Sequence, residues 1–195
     1  MTLKEQVYSV LVVSSSDSFN NAIKPLLPES KLNPVHILGS ISAAKQTVLA
    51  RFYDFVLINA PLPDDPGTRF AIDVCSEKGA VALLFVKNEL YDEITDKVTQ
   101  HGVYTLAKPT SKQMVLQAFS WMASTRERLR NLEKKTLSIE EKMAEIRLVN
   151  RAKWLLIDVL KMTEPNAHRY IEKQAMDRCV SRREIAESII HTYGR

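Results

Sequence analysis

Glycine is scarce in this chain. There are five glycines in 195 residues and no repeated period, which excludes collagen-like, solenoid and low-complexity architectures. Cysteine is scarcer. Cys75 and Cys179 lie far apart with no CxxC pair, which argues against a disulfide framework or a metal site, and both read as small buried residues. No apolar run reaches the roughly 18 residues that a membrane span requires. The opening MTLKEQVYSV has neither the basic flank nor the long apolar core of a signal peptide, so the expected location is the cytoplasm, with no membrane partner. GxSxG, P-loop and HExxH signatures are absent, and His36, His101, His168 and His191 are scattered. The expectation is a protein that is not an enzyme and needs no cofactor or metal.

What is present is a rhythm. Over the first 122 residues, short apolar runs alternate with segments of helical spacing. The runs are YSVLVV (8–13), PVHILG (34–39), DFVLIN (54–59), AVALLFV (80–86) and GVYTLA (102–107). They are β-branched and nearly continuous, as in strands buried on both faces of a parallel sheet. Helices are expected at 17–28, 41–51, 67–78 and 89–101. The fold class is therefore α/β, a five-stranded doubly wound parallel sheet. Its functional end is at the carboxyl ends of the strands, at Ser14–Ser15, Asn59, Lys87 and Lys108.

A further helix starts near Ser111 and has no glycine or proline through residue 164. Met122, Thr125, Leu129, Leu132, Thr136, Ile139, Met143 and Ile146 recur every 3.5 residues on average, a heptad seam with charged residues between. We read a coiled-coil helix that pairs with a second copy, with Leu129, Leu132, Ile139, Met143 and Ile146 as the dimer seam. The alternative is an amphipathic helix folded onto its own chain. Residues 150–195 then read as three short helices. Thr163 and Pro165 open the second, and the SRRE stretch (181–184) forms a capping box for the third. The expected domains are 1–121, the linker helix 122–149 and 150–195.

Charge is uneven. Residues 1–122 hold eleven Lys and Arg against twelve Asp and Glu, whereas residues 123–195 hold sixteen against eleven. The basic C-terminal part suits an anionic partner. On the second short helix, Arg169, Lys173 and Met176 fall opposite the apolar Ala167/Ile171/Ala175 face. Lys153 and Arg151 open the first helix, and Arg182 and Arg183 lie in the first turn of the third. Basic groups beside helix amides suit phosphate. Trp154, Tyr170, His168 and Arg169 are candidates for base stacking and edge contacts. Tyr170 also borders the apolar face and reads equally as core.

The first domain resembles the receiver domain of two-component response regulators over about residues 7–121, through its strand order and Lys108-Pro109 in LAKPTS. That family holds Mg²⁺ with acids after the first strand, attacks phosphorus with an aspartate after the third, and couples through a Ser or Thr after the fourth. Here Ser14 and Ser15 stand where the acids belong, Asn59 replaces the acceptor and Lys87 the hydroxyl. Only Lys108 is kept. Asp17 reads as the cap of the first helix, and Asp64 and Asp65 as solvated loop residues. An amide is a poor nucleophile, and Mg²⁺ wants anionic oxygens, so the resemblance implies a pseudo-receiver.

The second resemblance is to the ANTAR domain of transcription antitermination regulators, over about residues 148–191. It rests on Ala152-Lys153, Ala167, Ala175-Met176, Ile185-Ala186 and Ile189-Ile190, with Trp154 departing from a usually small residue. It implies an RNA-binding regulator that grips tandem stem-loops in leader transcripts as a homodimer. Its RNA contacts would come from Lys153, Arg169, Lys173, Met176, Arg182 and Arg183, and a regulatory sensor protein would control it in place of phosphorylation. The competing reading is a DNA-binding response regulator with a helix-turn-helix-like unit; QAMDRCVSRREIA lacks the glycine such a turn often carries.

Overall fold

A computed structural model of the protein describes residues 6–194. The chain divides into two compact units, Met1–Arg130 and Asn131–Arg195.

In the first unit the apolar runs form β1 (Tyr8–Val13), β2 (Leu32–Leu38), β3 (Phe55–Asn59), β4 (Val81–Lys87) and β5 (Tyr104–Lys108). All pair in parallel, in the order β2-β1-β3-β4-β5. Helices α1 (Asp17–Ile23), α2 (Ile41–Ala50), α3 (Thr68–Lys78), α4 (Tyr91–Val98) and the start of α5 (Lys112–Leu160) connect or follow the strands. Alternate strand residues feed two cores. Leu11, Val13, Val56, Ile58 and Leu84 meet Ile41, Phe70 and Val74 on one face. Val10, Val12, Leu57, Leu83 and Phe85 meet Ile23, Val115, Phe119 and Met122 on the other. That two-sided burial is why the runs lack polar alternation, and each fully buried side chain contributes about 1.5–3 kcal/mol.

Local chemistry trims the expected helices. α1 stops at Ile23 and continues as a 3₁₀ turn over Lys24–Leu26, because Pro25 supplies no amide donor. Its N-cap is Ser16, whose hydroxyl accepts from the Phe19 amide, and Asp17 is the first helical residue. Asp64 is exposed yet engaged. Its carboxylate accepts from the Ile41 and Ser42 amides at 3.1 and 2.9 Å, capping α2. Asp65 accepts from the Gly67 amide at 2.7 Å. Gly67 opens α3 at φ +82°, and a β-carbon there would lie 2.8 Å from Ile58 Cγ2, so only glycine fits.

The first unit runs to Arg130, past the expected boundary at 121, because the amino end of the central strand binds α5. Asp54, immediately before β3, is 5% exposed, as is Arg126. Asp54 Oδ1 accepts from Arg126 Nε at 2.9 Å and from an Arg130 terminal nitrogen at 2.7 Å. Its Oδ2 accepts from the Ser9 amide and hydroxyl at 3.0 and 3.1 Å. Arg126 lies over the Phe52 ring and Arg130 over the Tyr8 ring.

In the second unit the end of α5 packs against α6 (Glu164–Arg178) and α7 (Arg182–Tyr193). Ala152, Leu156, Ala167, Ile171, Ala175, Ile185, Ala186 and Ile189 form its core. The small residues let the helices approach closely. The Ser181–Glu184 capping box is formed. Thr163 is the N-cap of α6 by backbone, but its side chain makes no capping hydrogen bond. Cys179 is exposed, not buried, and ends α6 at φ 52° in the left-handed region. Cys75 is half-buried against the first core.

The heptad residues divide between two environments. Met122 is fully buried and Leu129 packs beside it in the first unit's core. Thr125 shares a hydrogen bond with Tyr104. Leu132, Ile139, Met143 and Ile146 are exposed. The first part of the pattern therefore serves the protein's own domain, and the free seam begins at Leu132.

Candidate functional site

At the carboxyl ends of the strands, the sheet brings Ser14, Asn59 and Lys108 together. Lys108 Nζ donates to Asn59 Oδ1 at 2.7 Å and to the Ala60 carbonyl at 2.6 Å. Asn59 Nδ2 donates to Ser14 Oγ at 3.0 Å, and that oxygen also accepts from the Ser16 amide at 3.2 Å. The polar atoms satisfy one another in a closed chain. Lys87 pairs in register with Lys108 and is exposed, as is Ser15. Burial pushes the Lys108 ammonium below its ordinary pKa, and the neighbouring Lys87 charge adds to the effect. The receiver family's Mg²⁺ does not fit this donor set. The nearest oxygens are neutral and internally bonded, Ser14 and Ser15 stand where a metal would need anions, and two lysines lie beside them. We expect no incorporation of phosphate from acetyl phosphate with Mg²⁺, measured by phosphate-affinity electrophoresis of the full chain; a stoichiometric, acid-labile band would contradict this.

The second unit carries the candidate nucleic-acid face. Arg169, Lys173 and Met176 are exposed on one stripe of α6, Met176 at 78%. The Ala167/Ile171/Ala175 stripe turns into the core and fixes the helix rotation. Arg182 and Arg183 are exposed but have carboxylate partners: Glu145 at 3.3 Å and Glu187 at 2.9 Å. Lys153 departs most from a free basic group. Its side chain is 17% exposed and bridges to Glu164 at 2.7 Å, tying α5 to the start of α6. His168 faces Glu172 at 3.2 Å. Tyr170 is exposed and lines a shallow cleft with Arg178 and Tyr193. Trp154 is 71% exposed, its indole outside the core. Arg147 and Arg151 are exposed at i−7 and i−3 from Trp154, adding a basic and aromatic stripe on α5. Arg147 was not singled out by sequence, although its spacing from Trp154 would have shown it.

Residues 138–190 match the ANTAR domain family, so the match begins earlier on α5 than the resemblance at 148 suggested. The chain thus carries an ANTAR domain, preceded by a domain with the receiver fold. It is similar to the transcriptional regulatory protein PdtaR of Mycobacterium tuberculosis, 28% identical over 164 residues that cover 81% of this chain and 78% of that one. A solved signal receiver domain of an HD domain-containing protein from Pseudomonas fluorescens Pf-5 covers 67% of this chain and 96% of its own, at a TM-score of 0.58 and 20% identity. An adenylate cyclase from Rhodopirellula baltica aligns at a TM-score of 0.59 and 17% identity, over 67% of this chain and 97% of that one. At such identities these structures share the fold alone. The ANTAR and receiver families are regulatory rather than enzymatic, and the ANTAR match supports a kinship with RNA-binding antitermination regulators. No helix among the described residues is long and apolar enough to cross a membrane.

Proposed function

We propose that the protein is an antitermination regulator that binds tandem stem-loops in leader transcripts as a dimer, under the control of a partner protein and not of a phosphoryl group. The observation that carries this is the exposed Arg169–Lys173–Met176 stripe, held outward by a fully packed apolar face within the ANTAR domain. Arginine and lysine one turn apart suit consecutive phosphates, and the flexible Met176 side chain suits the face of an unstacked base. The exposed seam from Leu132 to Ile146 supports pairing of two such domains. The closed Ser14–Asn59–Lys108 chain supports control by something other than phosphorylation.

The test is a fluorescence titration of tandem-hairpin RNA at physiological salt, with loop-scrambled RNA and duplex DNA as controls. Arg169→Ala and Lys173→Ala are each expected to weaken binding about tenfold and to lower the salt slope by about one. Equal, steeply salt-dependent binding to all three nucleic acids would reduce the stripe to a non-specific basic surface.

One observation favours the DNA-binding alternative. Cys179 adopts the left-handed conformation that glycine usually supplies between paired helices, so the missing glycine does not exclude a helix-turn-helix-like turn. Preference for the duplex over the hairpins would select that reading.

A further inference from the structure

The first unit contains a cleft of about 350 Å³ beside Lys108. Its accessible apolar wall is Phe19 and Ala22 from α1, Leu26 from the turn that follows and Pro109 after β5, with Ile23, Phe85 and Val115 buried behind them, and Lys108 and Lys112 stand among its polar lining. The volume falls within the range of small-molecule sites, and the mixture of apolar wall with few polar groups is typical of them.

Charge narrows the ligand class. Lys108 hydrogen-bonds only neutral oxygens, those of Asn59 and Ala60. Lys87 lies beside it on the next strand, and no carboxylate lines the cleft among the described residues. A half-buried ammonium with a second cation nearby and no anion is poorly compensated. Lys112 also occupies the first position of α5, where the helix favours negative charge. The polar end of the cleft therefore lacks an anion, and the rest of it accepts hydrocarbon.

We propose that this cleft binds a small organic carboxylate, its acid group at Lys108 and Lys112 and its aromatic or branched aliphatic body against Phe19, Ala22, Leu26 and Pro109. The site is distinct from a phosphoacceptor because it needs no metal and no nucleophile. It is independent of the RNA-binding reading. It would give the receiver-like domain a chemical input that Asn59 alone does not.

The test is amide NMR of the full chain titrated with phenylacetate and isovalerate, against phenylethyl alcohol, isoamyl alcohol and acetate. Saturable shifts confined to α1, the end of β5 and the start of α5 are expected for the two apolar acids. The alcohols and acetate are expected to bind about tenfold more weakly, consistent with loss of a charge-assisted contact or of the apolar body. Lys108→Met should reduce acid binding by a similar factor. Ala22→Phe, at an exposed lining position on α1, should fill the cleft and abolish binding with the fold intact. No saturable shift with either acid, equal binding of the alcohols, acetate binding as well as phenylacetate, or binding that survives Ala22→Phe would each overturn the proposal.

Discussion

Replacing Asp54 with alanine is expected to destabilise the first unit by about 3–5 kcal/mol, because it removes the buried acceptor that Arg126, Arg130 and both Ser9 donors share. Urea denaturation followed by circular dichroism measures the effect. The double variant Asp54→Leu/Arg126→Leu should recover much of the loss, since it removes both members of the buried pair together. A loss under about 1 kcal/mol in the single variant would place the pair with ordinary surface bridges. The pH dependence has a definite sign. Burial alone would raise the Asp54 pKa, but the Ser9 amide, Arg126 and Arg130 outweigh it and hold the carboxyl below its ordinary value. The folded state therefore binds this proton less readily than the unfolded chain. The stabilisation is complete above the unfolded carboxylate range, about pH 4, and is lost as pH falls through the lower folded value. The Asp54→Ala variant should lack this part of the acid sensitivity.

The second large effect concerns avidity. Under the proposed reading, Ile139→Asp combined with Ile146→Asp places charge in the exposed seam and should separate the two copies. Affinity for a tandem-hairpin RNA should then fall by ~10²–10⁴-fold, while affinity for a single stem-loop stays unchanged, because linkage adds effective concentration and no contacts. Sedimentation and the titration, read together, check this. An equal loss on single and tandem RNA would mean that this helix face touches RNA directly. Unchanged tandem binding by a separated monomer would remove pairing from the mechanism.

Much of this was legible in the residues. Continuous β-branched runs specify strands buried on both faces, and Ser181 with Glu184 specifies a helix start, because each signal is local. Most of what was not legible has one cause, which is contact between distant segments. Nothing near Asp54 in sequence announces a partner at Arg126. Only the sheet topology, which puts the start of β3 beside α5, brings the two together. The heptad period records that Leu129 is apolar on one helix face, but it does not say whether a second copy or its own domain covers that face, and here the domain does. Lys153 looked like a free basic group because Glu164 lies across a helix turn-around. Asp64 is the exposed loop residue its setting suggested, but its capping role was hidden because the amides it bonds belong to an earlier helix. Cys179 looked buried by residue type, but a backbone conformation that few side chains favour holds it outside. In the acceptor pocket, the substitutions were readable one by one, while their mutual satisfaction was not.

That mutual satisfaction bears on descent. An aspartate at position 59 alone would set a carboxylate against Lys108 with no acid at 14 or 15 to hold a divalent ion. The result would be an inert ion pair, not a phosphate acceptor. Phosphoacceptor chemistry here would thus take changes at 14, 15 and 59 together, because Ser14, Asn59 and Lys108 are bonded into one chain whose members answer to one another.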